Sequence, residues 1–192
     1  MTVDPKLWWY VARASGVTAM VLASSSVVWG VALSSRLTRR PRPAWVLDLH
    51  RYLGGLTVTF VGVHLGGLVA DNFTHWGLSD LFVPLATNWH PIPVAFGIVG
   101  FYLLIAVEIT SLLMKRLPRR VWYAIHLSSY GLWVLAMVHS FTSGTDRHAA
   151  WFLATLAIPG LAVVVITLFR WFTRGSERRP RKRAGTHTPA PA

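Results

Sequence analysis

Four histidines are the residues of this chain best suited to chemistry. His50 and His64 stand fourteen residues apart in LHRYLGGLTVTFVGVH, and His126 and His139 stand thirteen apart in HLSSYGLWVLAMVH. A neutral imidazole offers a ring nitrogen to a metal. There is no cysteine, so disulfides, thiolate clusters and cysteine-anchored hemes are excluded, and any metal is held by His, carboxylate or Met. A zinc site gathers about four ligands, whereas facing histidines from the two runs supply two per level. An iron already held by porphyrin nitrogens lacks only its axial ligands. The count therefore points to two b-type hemes, with His50, His64, His126 and His139 as the metal ligands. Taken singly, each histidine reads more readily as a polar contact between helices or a site for a bound water; four at matching depths on two parallel helices reverse that preference. The competing reading is a heme-free transporter subunit or assembly factor whose histidines line a polar seam.

The elements that must position these residues are membrane helices. The chain has 192 residues, 53% of them hydrophobic, with ten Trp and a mean hydropathy of +0.45. Segments near 7–35, 45–70, 92–114, 121–142 and 150–172 are long enough to cross a hydrocarbon layer of about 30 Å. Lipid cannot satisfy free backbone groups, so these runs are expected to be helices. The predicted fold class is all-α, an integral membrane bundle of about five transmembrane helices. The interrupted, aromatic stretch 71–91 is expected to lie along the outer surface as an interfacial segment. The net charge is +12, yet its placement argues for topology and against nucleic acid. Arg36, Arg39, Arg40 and Arg42 fill the first loop, Lys115, Arg116, Arg119 and Arg120 the third, and seven more basic residues lie from Arg170 to Arg183. All fall on one side of a five-helix serpentine. The positive-inside rule then puts the N-terminus outside and the C-terminus in the cytoplasm of a multi-pass cell-membrane protein.

Domain organisation follows: an outer N-terminal segment 1–6, a transmembrane domain 7–172, and a basic, Pro/Ala/Thr-rich cytoplasmic tail 173–192 expected to be disordered and to sit on membrane lipids. MTVDPK lacks the basic region of a secretory signal, so the first helix is expected to be retained. Its opening residues Leu7, Trp8, Trp9 and Tyr10 form an aromatic belt. Ser24, Ser25, Ser26 and Gly30 give it a small face for close packing.

Helices two and four run in the same direction, so His50 can face His126 and His64 can face His139. The separations correspond to roughly 21 and 20 Å along the axes. Fourteen residues return to one helix face. Thirteen leave His139 about 140° away from His126 on a straight helix, so the fourth helix is expected to be irregular or approached from two sides. Gly54, Gly55, Gly62, Gly66 and Gly67 remove bulk from helix two where a macrocycle would lie, or serve helix packing alone. Arg51 and Arg13 are placed to neutralise heme propionates. Arg51 reads equally as a topology anchor, whereas an intramembrane charge such as Arg13 requires a partner. Glu108, inside the third span, reads as a proton relay, a quinol contact or a protonated acid bonded to a neighbouring helix. His75, His90 and His148, with Asp71, Asp80 and Asp146, fall on the outer side, where scattered surface polarity is favoured over a metal site. His187 in the tail is assigned no role.

The segments LHRYLGGLTVTFVGVH and VWYAIHLSSYGLWVLAMVHSFTSGTD resemble the two heme-binding helices of ferric reductase-like transmembrane domains. That superfamily includes membrane ferric reductases, the heme domain of NADPH oxidases and the heme subunit of a periplasmic methionine sulfoxide reductase system. The resemblance spans roughly residues 8–172 and rests on the paired spacing, His-Arg at 50–51, His-Leu-Ser-Ser-Tyr at 126–130 and Gly-Thr-Asp at 144–146. It implies the four histidines as axial ligands and electron transfer from the cytoplasmic to the outer side. A membrane potential negative inside assists that direction by roughly 2.3 kcal/mol per 100 mV. Larger relatives continue into flavin and NADPH domains and often have six spans; here a short basic tail follows five, without a Gly-rich phosphate loop. The expected donor is therefore a membrane quinol or a separate flavoprotein reductase carrying FMN or FAD. The expected acceptor is ferric iron, dioxygen or a partner reductase.

Overall fold

The computed structural model describes residues 4, 6–34, 43–71 and 75–176. Among them every regular element is a helix: α1 (Leu7–Ser34), α2 (Ala44–Ala70), α3 (Leu78–Phe82), α4 (Pro91–Leu112), α5 (Arg119–Leu127), α6 (Ser129–Ser143) and α7 (Ala150–Ser176). Five spans are long and apolar enough to cross a membrane: α1, α2, α4, the combined α5 and α6, and α7. The expected all-α, five-span architecture is the one observed. The first basic loop and the tail from residue 177 lie outside the described residues, and α7 continues to Ser176, past the expected boundary at 172.

The spans are helical because their polar groups close on themselves. Without water, a hydroxyl in lipid needs an acceptor on its own helix. Ser15 Oγ donates to the Val11 carbonyl at 2.6 Å, Ser24 Oγ to Met20 at 2.9 Å, Thr57 Oγ1 to Leu53 at 2.8 Å and Thr110 Oγ1 to Ala106 at 2.7 Å. Pro91 sits at the first position of α4, where a missing N–H costs no helical bond.

The first helix is the spine. It packs along α2 and also meets α6 and α7, while α4 packs on α6; α2 and α6 make no extensive contact with each other. The small residues of α1 permit this, with Ala12, Ser15, Ala19 and Ser24 all buried. Met20 joins Phe152 and Leu156 of α7 in a core cluster. Two indoles fasten the spine: Trp133 Nε1 donates to Ser24 Oγ at 3.0 Å and Trp29 Nε1 to the Val46 carbonyl at 2.8 Å. α1 and α2 approach closely at Gly67, where an added Cβ would lie 2.8 Å from the Ala12 nitrogen. Gly67→Val is therefore expected to force the pair apart at a cost of about 1–3 kcal/mol. A lowered melting temperature in detergent checks this.

The fourth span is not one straight helix. The Ser128 N–H bonds the Ile125 carbonyl three residues back at 3.0 Å, and Ser128 Oγ donates to the same oxygen at 2.6 Å. By taking that carbonyl the side chain interrupts the four-residue ladder, which restarts with Leu132 N bonded to Ser128 O at 2.9 Å. The break separates His126 on α5 from His139 on α6, one of the two outcomes that the thirteen-residue spacing left open. The segment after α2 folds back over the bundle: Leu81 and Thr87 are buried, and Tyr102 Oη donates to the Phe82 carbonyl at 2.5 Å.

Candidate functional site

The four histidines come together in two levels. Nearer the start of α2, the rings of His50 and His126 face each other with centroids 6.0 Å apart and planes at 78°. Two imidazoles sharing one metal through bonds of about 2 Å stand roughly 6 Å apart between ring centres, so the spacing suits a shared ion. Trp122 stacks on His126 at 5.1 Å. Nearer the start of α1, His64 and His139 line the same two adjoining cavities, together with Gly16, Leu68, Val94 and Ser140. This space lies where α2 and α6 do not pack on each other.

Each of the four rings has Nδ1 engaged. His64 Nδ1 lies 2.6 Å from the Ala12 carbonyl and His139 Nδ1 lies 2.9 Å from the Pro93 carbonyl. His50 Nδ1 lies 3.3 Å from Ser26 Oγ and His126 Nδ1 lies 3.4 Å from Ser111 Oγ. A carbonyl only accepts, so His64 and His139 carry their proton on Nδ1 and present an unprotonated Nε2 when neutral. Metal-bound histidines carry this kind of outer bond, which fixes the ring and raises its basicity. Among the described residues no group of three or more His, Cys, Asp or Glu gathers around a single ion. A donor set of paired imidazoles with engaged Nδ1 atoms fits a tetrapyrrole iron, which needs two, and does not fit a bare zinc ion, which needs about four.

Glycine also contributes on helices other than α2. A Cβ at Gly55, Gly62 or Gly66 of α2 would meet open space, and at Gly54 it would meet the Glu108 carboxylate at 3.0 Å. The glycines that touch imidazoles lie opposite: Gly16 and Gly30 of α1 against His64 and His50, and Gly97 of α4 against His139, each with a virtual Cβ 2.8–3.0 Å from the ring. Their signal was in the sequence as a spacing, since Gly16 and Gly30 are fourteen apart, like His50 and His64.

The charged candidates divide. Arg13 is ion-paired with Asp146 and lies over Trp9 at 4.6 Å and Trp151 at 5.8 Å, on the rim of the cavity holding His64 and His139. Arg51 pairs with Asp48 at 3.5 Å on an exposed surface. Glu108 rests against α2 at Gly54, one turn from His50. His75, His90 and His148 are exposed, and His148 accepts from Arg147 at 3.2 Å. Asp80 accepts from the Gly77 N–H at 2.9 Å and Asp71 is buried. Asp71 and Asp146 line the outer cavity, but among the described residues no three of these outer groups gather around one ion, and His187 lies outside the described residues.

Five membrane-length helices and a half-buried double pair of histidines define a multi-pass helical membrane protein with a cofactor-type core. The chain belongs to the ferric reductase-like transmembrane component family, whose model matches residues 15–137. The family implies membrane electron transfer, is oxidoreductase-related and typically binds heme. The match includes His50, His64 and His126 and ends two residues before His139. No curated protein and no solved structure matches the chain.

Proposed function

We propose that the chain is a two-level electron conduit in which His50 and His126 hold one b-type heme and His64 and His139 hold a second. The carrying observation is the shared state of the four rings: every Nδ1 is engaged, and no Nε2 has a hydrogen-bond partner among the described residues. In a heme-free protein with a polar seam, both ring nitrogens would be used for contacts between helices. When bound, heme supplies a one-electron ferric/ferrous couple at each level. The residues do the rest. The ring bonds hold Nε2 toward the space between the helices, the apolar walls of α1, α2, α4 and α6 exclude water, and the fourteen-residue spacing separates the levels by about 21 Å of helix rise.

The basic residues favour an orientation with the His50/His126 level toward the cytoplasm and the His64/His139 level outside. A membrane quinol or a separate flavoprotein with FMN or FAD then feeds the inner level, and ferric iron, dioxygen or a partner reductase drains the outer one. Arg13, on the rim of the outer cavity, is placed to share its charge between Asp146 and an acidic group entering there.

Vesicles enclosing ferricyanide, with dithionite outside and a potassium ionophore to balance charge, test the conduit. With heme-loaded protein in the bilayer the enclosed ferricyanide is expected to be reduced far faster than in protein-free vesicles. Fully reduced heme with the enclosed ferricyanide still oxidised would overturn transmembrane conduction.

A further inference from the structure

Three of the four histidines dock in the same way. His64 lies on Gly16 and reaches the carbonyl of Ala12; His139 lies on Gly97 and reaches the carbonyl of Pro93; His50 lies on Gly30 and reaches the hydroxyl of Ser26. In each case the group facing Nδ1 belongs to the residue four before the glycine. Helix geometry explains the interval. A Cα–Cβ bond tilts toward the helix N-terminus, so a side chain covers the turn before its own Cα. A glycine uncovers that turn, and the second lone pair of the carbonyl four residues back becomes reachable from outside. His126 is the exception: it lies at the end of the bundle, where Nδ1 faces Ser111 Oγ and the residue four further on is Lys115.

We infer that Gly16 and Gly97 are positioning residues, notches in α1 and α4 that let His64 and His139 donate Nδ1–H to main-chain carbonyls, with Ser143 Oγ a more distant neighbour of His139 Nδ1 at 3.4 Å, whereas the His50/His126 level is set by the hydroxyls of Ser26 and Ser111. The two levels therefore differ in how ligand basicity is fixed. Main-chain acceptors at 2.6 and 2.9 Å bind the ring proton more closely than hydroxyls at 3.3 and 3.4 Å. A stronger Nδ1–H bond makes a more basic imidazole, which favours the ferric state. Losing the bond favours the ferrous state and raises the reduction potential of that level alone.

The inference rests on the two-heme reading, and the test separates their failures. Potentiometric titration of the purified wild type, followed in the visible spectrum, first establishes two hemes; their absence would sink the two-heme reading itself. Gly16→Ala and Gly97→Ala are then expected to raise the potential of the His64/His139 heme, and Ser26→Ala and Ser111→Ala that of the His50/His126 heme. A tenfold change in ferric-over-ferrous preference corresponds to about 59 mV for one electron. Ser26→Thr keeps a hydroxyl and should restore the wild-type value. Shifts shared equally by both hemes, or unchanged potentials in folded two-heme variants, would overturn the inference. Should both glycine variants fail to fold, proton exchange in the ferric wild type still decides. The ring Nδ1–H resonances should exchange with D2O slowly at the carbonyl-bonded level and faster at the hydroxyl-bonded one, and equal rates would overturn it.

Discussion

His64→Ala is expected to remove one heme and leave the other, bringing the bound heme from about two per chain to about one, as a bis-histidine site needs both axial ligands. The retained heme is the one at His50/His126, because that level draws its ring contacts from Ser26, Ser111 and Trp122 and, among the described residues, from nothing at the His64 level. His139→Ala should give the same product, since the two residues line one cavity from opposite helices. His50→Ala and His126→Ala should each remove the other heme. Heme extraction with protein quantitation, read beside the α-band of the retained heme, checks the pairing. Equal loss of both hemes in His64→Ala, in protein that still melts cooperatively, would contradict it.

Separating Arg13 from Asp146 has the second largest expected effect. The pair joins α1 to the turn between α6 and α7, and the guanidinium also lies over Trp9 and Trp151, so one side chain ties three parts of the bundle at the cavity rim. With the side chains 27% and 21% exposed, it is partly withdrawn from solvent. Removing one partner leaves a charge without its counterion in a region of poor solvation. Such a loss in a buried pair costs about 3–5 kcal/mol, and here about 1–3 kcal/mol is expected because of the residual exposure. Arg13→Leu and Asp146→Asn should each lower stability by that amount. The double variant Arg13→Leu/Asp146→Asn should recover much of it, because no charge is then stranded. Arg13→Lys should fall between, since an ammonium keeps the charge but loses the planar stack on the indoles. Unfolding in mixed micelles gives the four values of the cycle. Additive losses, with no recovery in the double variant, would show that the two side chains act separately.

What the sequence disclosed was periodic or compositional. Span lengths, the one-sided distribution of Arg and Lys, and the histidine spacing all survive projection onto a single line of residues. Arg13 read as a charge that needed a partner because hydrocarbon cannot solvate it, but the partner lies 133 residues further on, a separation that no helical period encodes. The thirteen-residue spacing left an irregular fourth helix as one of two outcomes; the place of the break could not be read, because Ser128 acts by a hydroxyl capturing one particular carbonyl, and Ser129 beside it offers the same side chain. The role of the glycines was legible only in part. Those of α2 stand on the histidine helix itself, and three of them would carry a Cβ into open space. Gly16, Gly30 and Gly97 matter because another helix's ring arrives on them, which depends on how α1 and α4 pack. Only the equal fourteen-residue spacing of Gly16–Gly30 and His50–His64 carried that antiparallel register into the sequence.

The central claim is that two pairs of imidazoles, each turned by its Nδ1 bond, hold two hemes at two depths. Its most direct test is the reduced-minus-oxidised visible spectrum of the purified full-length protein, with heme and protein quantified on the same sample. A b-type α-band with about two hemes per chain, low-spin in both oxidation states, is the predicted result. Protein that is folded and carries no heme, or that holds a single heme insensitive to replacement of His64, would contradict it.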